Sequence, residues 1–338
     1  MQLYKKLMRP LLFALEPETA WHLSDLGLSQ TWFWKIMGSG FQHQNELFEA
    51  TVAGIPIKNP VGLAAGYDKN CRFLSSLQEL GFGYVMGGTV TKDPRPGNPK
   101  PRVIRLKDQS ALINALGFPG NGLERALSEI SKMVSVPKKS VRIISVSGTD
   151  ISDIAECHQQ LEPFCDAIEL NISSPNTKGL RIFQEPSKLR SLLAEVNQNK
   201  SKPLLVKMPP YKSEESDDEK ALNLGRICLE EKVESLTVSN TIPIMHDGLA
   251  VGQGGLSGSP LFENTIAMVK TYQTEFGDSI EINACGGISN GYQAYEALKA
   301  GASSIQILTS LIYQGPRVVQ SINRELSELF TNRGNPRN

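Results

Sequence analysis

Cysteine is scarce in this chain: five residues, Cys71, Cys157, Cys165, Cys228 and Cys285, among 338. Their number is odd, their spacing is wide and no two form a CxxC pair. The sequence therefore offers neither a disulfide framework nor a zinc site, no metal is expected, and a reducing compartment is the simplest reading. An excess of charge of either sign is also missing, with 35 Lys+Arg against 35 Asp+Glu. Without a basic surplus to neutralise phosphates, nucleic-acid binding is disfavoured. No apolar run approaches the roughly 18 residues that would span a bilayer, and the first residues lack the uninterrupted apolar stretch and cleavage site of a signal peptide. A GxGxxG after the first buried strand is absent too, which weighs against the competing open, doubly wound dinucleotide-binding sheet.

What remains is an ordinary enzyme-like composition, 40% hydrophobic and 21% charged, long enough for one α/β barrel of roughly 250 residues plus an appendage. The appendage is read at the start of the chain. All three tryptophans, Trp21, Trp32 and Trp34, lie in the first forty residues. Leu3, Leu7, Leu11 and Leu15 recur every four positions, as on one apolar face of a helix, with Lys5, Lys6 and Arg9 among them. Glu16-Pro17-Glu18 reads as a helix restart, proline and acids being favoured in a first turn. Residues 1–38 are thus expected to form a two-helix hairpin with more apolar and aromatic surface than it can bury on itself. It either caps the core of the larger unit, residues 39–338, or lies at a membrane surface with Trp at headgroup level and Lys/Arg facing anionic lipid.

From residue 50 the chain changes character. After a Thr51–Ile57 segment that suggests a small hairpin, eight short apolar runs alternate with helical patterns: Pro60–Ala65, Tyr84–Gly88, Arg142–Ser147, Ala167–Ile172, Leu204–Met208, Ser235–Ser239, Ile280–Ala284 and Ser304–Leu308. Continuous hydrophobicity marks strands buried on both faces, and helices between them imply parallel crossovers. Eight βα units predict a closed (β/α)8 barrel with an N-terminal helical extension.

Barrel chemistry collects at the C-terminal ends of the strands. There the sequence delivers Ala65-Gly66-Tyr67-Asp68-Lys69, Gly88-Thr89, Asn171 through Thr177, Lys207, Ser239-Asn240-Thr241, Gly286-Gly287 and Thr309-Ser310. Each alone has a plain explanation as a turn or cap. Seven at one edge do not, and a lysine ending the apolar run Leu204-Leu205-Val206 must find a partner or carry a perturbed pKa. The small-residue turns after the last two strands suit a phosphate group, and Gly254-Gly255-Leu256-Ser257-Gly258 adds backbone able to approach a ligand closely.

Asn59 through Gly66, Asn171 through Thr177, Ser239-Asn240-Thr241 and Gly254 through Gly258 resemble the dihydroorotate dehydrogenases, flavin enzymes of pyrimidine synthesis, over nearly the whole chain. The N-terminal hairpin with Arg9-Pro10-Leu11-Leu12-Phe13 resembles the membrane-associating helices of the quinone-dependent branch, and Ser174 stands where that branch has its serine base. The resemblance implies FMN, dihydroorotate oxidised to orotate, and a membrane quinone as acceptor. It also implies a peripheral place on the cytoplasmic face of a bacterial inner membrane or its equivalent. It further implies that Lys69, Asn114, Phe118, Asn171, Asn176, Asn240 and Thr241 bind substrate. Ala65, Gly66, Thr89, Ser145, Asn171, Lys207, Ser239, Gly258, Gly287, Thr309 and Ser310 would hold the flavin, with Lys207 near flavin N1. Thr177 through Arg181 resemble a lid.

Three positions depart from the quinone-dependent pattern. Ala115 follows Asn114 where that branch usually has arginine, and Ser145 stands where it has a flavin-touching asparagine. Both resemble the soluble branch. A tunnel histidine would fall on Trp21, and the nearest histidine is His22, which with Arg105 is assigned to the quinone side. Three other readings stay open: the same fold with another acceptor or dihydropyrimidine-like substrate, a Schiff-base aldolase using a barrel lysine, and a non-catalytic membrane-associated relative.

Overall fold

The computed structural model describes residues 3–336 except Gln44, residues 175–178 and residues 212–214. The N-terminal extension has three helical segments, not the two expected. A π-helical turn, Tyr4–Met8, runs into α1 (Arg9–Ala14), followed by α2 (Pro17–Leu28) and α3 (Thr31–Met37). The first break falls where Pro17 drives the preceding Glu16 out of helical space, to ψ 143°, and the Glu16 side chain accepts from Thr19 N at 3.3 Å as an N-cap. The second falls at Ser29, whose hydroxyl turns back to Leu26 O at 2.8 Å, a local bond that competes with continuation of the helix.

The hairpin β1 (Ala50–Val52) and β2 (Ile55–Ile57) pairs antiparallel, and its apolar residues pack on Tyr84, Ile143 and Leu205 near the strand starts, closing the barrel floor. The barrel strands are β3 (Val61–Asp68), β4 (Tyr84–Val90), β7 (Val141–Val146), β8 (Ala167–Asn171), β9 (Leu204–Lys207), β10 (Ser235–Val238), β13 (Glu281–Cys285) and β14 (Ser304–Ile307). They form a closed sheet in which β14 returns to β3, with Ile305 opposite Val61. Every pair is parallel. Each of the eight runs read from the sequence is one of these strands. Around them lie α4 (Leu74–Leu77), α5 (Gly122–Ile130), α6 (Ile151–Leu161), α7 (Pro186–Asn197), α8 (Glu215–Glu230), α9 (Phe262–Phe276), α10 (Gly291–Lys299), α11 (Thr309–Gln314) and α12 (Val318–Arg333).

A second sheet is absent from the sequence reading. β5 (Val103–Leu106), β6 (Ala111–Asn114), β11 (Ile242–Met245) and β12 (Gln253–Gly258) form an antiparallel sheet in the order β11-β12-β6-β5. It unites excursions from two distant crossovers, Leu256 facing Ile113, and the glycine-rich stretch is its fourth strand in chain order. Strands of four to six residues containing Pro243, or Gly254 and Gly255, carry little β signal of their own.

The outer side of the extension is apolar and bare: Leu11 is 72% exposed, Leu26 65%, Trp32 64% and Ile36 68%. Its inner side is anchored by Ser76 Oγ donating to Leu28 O at 2.7 Å and by Arg102, which grips Glu18 at 2.8 Å. Capping of the core therefore accounts for one side of these helices only.

Candidate active site

One cavity of about 750 Å³ opens at the C-terminal ends of the barrel strands and continues beneath α1 and α2. The strand ends supply its floor, β6 and β12 one wall, and the N-terminal helices its far end. Among the residues expected to act, Ala65, Gly66, Lys69, Arg105, Thr89, Asn114, Phe118, Asn171, Lys207, Ser239, Asn240, Thr241, Gly258, Gly287, Thr309 and Ser310 all line it. Phe118 does so from a left-handed backbone, φ 57°.

The polar floor is a continuous hydrogen-bonded chain. Asn240 Nδ2 donates to Asn171 Oδ1 at 3.3 Å and to Ser173 Oγ at 3.0 Å, and Asn240 Oδ1 accepts from Thr241 N at 2.7 Å. Asn171 Nδ2 donates to Thr89 Oγ1 at 3.2 Å, which lies 3.1 Å from Ser145 Oγ. Ser145 in turn donates to Glu169 at 3.1 Å, and Thr237 holds the other Glu169 oxygen at 2.8 Å. Ser145 thus sits below the cavity instead of lining it. Ser145, expected at the flavin, is fully buried, with its hydroxyl engaged by Thr89 and Glu169. Glu169, fully buried, was missed; the available signal was an acid within the otherwise apolar Ala167–Leu170.

Lys207 is buried, with its ammonium 3.9 Å from Cys285 Sγ. Burial opposes its charge, but the nearby Cys285 and Glu169 outweigh burial and hold its pKa above the usual lysine range. Lys69 differs: burial pushes its ammonium down to about 8 against the pull of Asp25, Asp68 and Glu18. Asp68 beside it is driven up to about 6 by burial, although Arg72 N and Phe73 N donate to its carboxylate at 2.9 and 2.6 Å.

Ser174 is buried at the end of the segment following β8 but does not line the cavity. Asn176, Thr177 and the first part of the expected lid lie outside the described residues. At the far end, Arg105 donates to Leu15 O at 2.6 Å and stacks over Phe13 at 4.7 Å. His22, expected on the quinone side, does not line the cavity: it stacks on Trp21 with ring centroids 5.4 Å apart, and Trp21 is the residue that lines it. One position along a helix turns a side chain by about 100°, enough to exchange inner for outer face.

Fold and site together define an α/β-barrel enzyme whose catalytic mouth is extended by a helical annex. The family model described as dihydroorotate dehydrogenase matches residues 47–330. Similar curated proteins include the dihydroorotate dehydrogenase (quinone) of Christiangramia forsetii, 34% identical over 96% of this chain and 99% of that protein. Another is the enzyme of the same name from Chloroflexus aurantiacus, 36% identical over 96% of each. The crystal structure of Eimeria tenella DHODH in complex with ferulenol superposes with a TM-score of 0.79 at 29% identity, covering 93% of both chains. The chain belongs to the dihydroorotate dehydrogenase family.

Proposed function

We propose that this chain oxidises dihydroorotate to orotate in pyrimidine biosynthesis, with FMN as its flavin and a membrane quinone as electron acceptor. The observation that carries this reading is the continuity of the cavity, from the asparagine and lysine floor at the strand ends to the space beneath α1 and α2. One end suits a polar ring and the other an apolar acceptor.

The residues fit a flavin nucleotide. Ser310 Oγ is buried and lacks a hydrogen-bond partner among the described residues, as expected of a donor reserved for a ligand. Gly258 and Gly287 present bare backbone at φ 97° and 74°, and a Cβ at either would collide with Ser110 O or Phe262 N. When bound, FMN would supply a two-electron acceptor for the substrate's hydride and a donor to the quinone. The rest falls to the chain. Asn114, Asn171 and Asn240 orient a substrate edged with C=O and N–H groups, since each carboxamide both donates and accepts. Ser174 Oγ receives the proton from the substrate carbon and passes it to a neighbouring hydroxyl or water. Lys207 Nζ fixes a positive charge where negative charge develops, and Lys69 Nζ faces the substrate end. In this reading residues 1–38 serve as membrane and quinone segment and residues 39–338 as the flavin barrel, and the exposed apolar residues of the helices support a peripheral position on the cytoplasmic face of a bacterial inner membrane or its equivalent.

The Schiff-base alternative fares worse, because such a lysine must be neutral to attack a carbonyl whereas Lys207 is held charged. The test is the flavin spectrum of the purified protein together with its acceptor preference in detergent among quinone, fumarate and NAD. Quinone reduction at the expense of dihydroorotate is expected, and preference for either soluble acceptor would refute the reading. Deleting residues 1–38 should abolish both sedimentation with anionic vesicles and reduction of a long-tailed quinone. Wild-type quinone efficiency in the truncated protein would refute the membrane segment's role.

A further inference from the structure

Lys69 stands at an awkward place. Its side chain lines the cavity, and among the described residues its ammonium takes no ion pair or hydrogen bond. The charged groups around it are engaged elsewhere or lie farther off. From α2, Glu18 is taken by Arg102 at 2.8 Å and Lys100 at 3.4 Å, while Asp25 and His22 are beyond pairing distance. At the end of β3, one residue before it, Asp68 accepts from the backbone of Arg72 and Phe73. Arg102, carried ahead of β5, adds repulsion. What the ammonium does meet is a ring: Nζ lies 3.7 Å from the centroid of Trp21. A desolvated cation over an indole face is among the stronger non-ionic contacts available to lysine. The same helix touches the neighbouring residue of β3, where Ser24 Oγ is 3.3 Å from Tyr67 OH.

We infer that Trp21 is a positioning residue for the substrate half-reaction: its indole holds the Lys69 ammonium charged and extended toward the substrate carboxylate. The helix assigned to the quinone side thereby sets substrate affinity. This rests on the reading of the chain as a dihydroorotate-oxidising enzyme with Lys69 at the substrate end. Without the ring, burial acts on Lys69 with less opposition, and the amine loses its proton at lower pH. The anionic substrate then loses its cation first on the alkaline side.

The experiment uses the full-length flavin-loaded protein as wild type, Trp21→Phe and Trp21→Leu. Competitive labelling with acetic anhydride, read by peptide mass spectrometry, follows the protonation of Lys69 directly, and orotate binding is followed by flavin absorbance from pH 6.5 to 9. Trp21→Leu should bring the labelling midpoint down by about one pH unit, the scale of a desolvated cation–π contact. It should also weaken orotate binding about tenfold at pH 8 and less at pH 6.5, with Trp21→Phe intermediate on both measures. Flavin content reports folding, and Trp21→Phe, which keeps a ring in place, covers the case in which leucine is not tolerated. An unchanged Lys69 midpoint, or a change confined to the quinone KM, would overturn the inference and leave Trp21 a tunnel wall. Absence of orotate binding by the wild type would instead sink the underlying functional reading, while the labelling would still decide the Trp21–Lys69 contact.

Discussion

Asn240 donates its side-chain amide to Asn171 Oδ1 at 3.3 Å, bridging β10 and β8 across the end of β9, where Lys207 stands. The bond fixes which atom of each carboxamide remains for a ligand. Asn240→Ala should raise the orotate Kd about ten- to a hundredfold, the equivalent of ~1–3 kcal/mol for hydrogen bonds lost with a partner stranded. Asn240→Asp should be worse, because a carboxylate oxygen then faces Asn171 Oδ1. Titration of the flavin absorbance with orotate measures both, and an aspartate variant binding better than alanine would disprove this donor assignment.

Lys207 carries the second prediction. Burial opposes its charge, while the Cys285 and Glu169 side chains beside it hold its pKa above the usual lysine range. Removing it in Lys207→Ala should lower the two-electron potential of the bound flavin by about 20–60 mV, the equivalent of ~1–3 kcal/mol for one charged hydrogen bond. Lys207→Arg should restore this only partly, since a planar fork does not replace a compact ammonium in a closed pocket. Equilibration with reference dyes gives the potential, and an alanine variant matching wild type with full flavin content would exclude the placement.

Asp68 makes stability depend on pH in an unusual sense. Its carboxyl titrates at about 6 in the fold against about 3.9 in an unfolded chain. The folded state therefore binds more protons between these values, and stability falls as pH rises from about 4 to 6, opposite to a salt-bridged carboxylate. The contribution is of order 2–3 kcal/mol for a group buried this completely. Asp68→Asn should flatten that window in denaturant melts, with its loss of stability greatest near pH 4, where Asp68 is neutral and the amide accepts only one of the two backbone bonds. A wild-type curve that rises from pH 4 to 6 to the same extent as the variant's would contradict the assignment.

The barrel was legible because its strands are buried on both faces and so read as unbroken apolar runs; Leu204-Leu205-Val206 could be little else. The second sheet was not. Gln253–Gly258 joins this sheet by meeting Ala111–Asn114 across more than a hundred residues, bringing its hairpin partner Ile242–Met245 with it, a pairing that no local pattern announces. At the site, the residues at strand ends converge because a barrel brings all such ends to one mouth. Trp21 and His22 show the limit of resemblance: the helix register decides which of two neighbours faces inward. Glu169 shows another, since its role appears only when Ser145 and Thr237 close on it from adjoining strands.

Ser174, proposed as the base, decides the chemistry. The alternative is that it merely terminates the segment after β8, where its burial and the hydrogen-bonded Asn171–Ser173 turn just before it would suit a structural role. Loss of a capping hydroxyl costs about 1 kcal/mol of stability and leaves chemistry nearly intact. Loss of a base leaves folding, flavin and orotate binding in place and slows proton removal by ~10²–10⁴. Ser174→Ala is therefore expected to show normal flavin content and orotate affinity but reduction of the flavin by dihydroorotate slowed by that factor. Stopped flow without quinone isolates this half-reaction from the annex. Ser174→Cys should retain partial activity with a pH profile moved toward the thiol's lower pKa, about 8.5 when unperturbed. Flavin reduction in the alanine variant within a few-fold of wild type would make Ser174 structural. The proton would then have to leave by another group, and Lys69, able to lose its own proton near pH 8, is the next candidate.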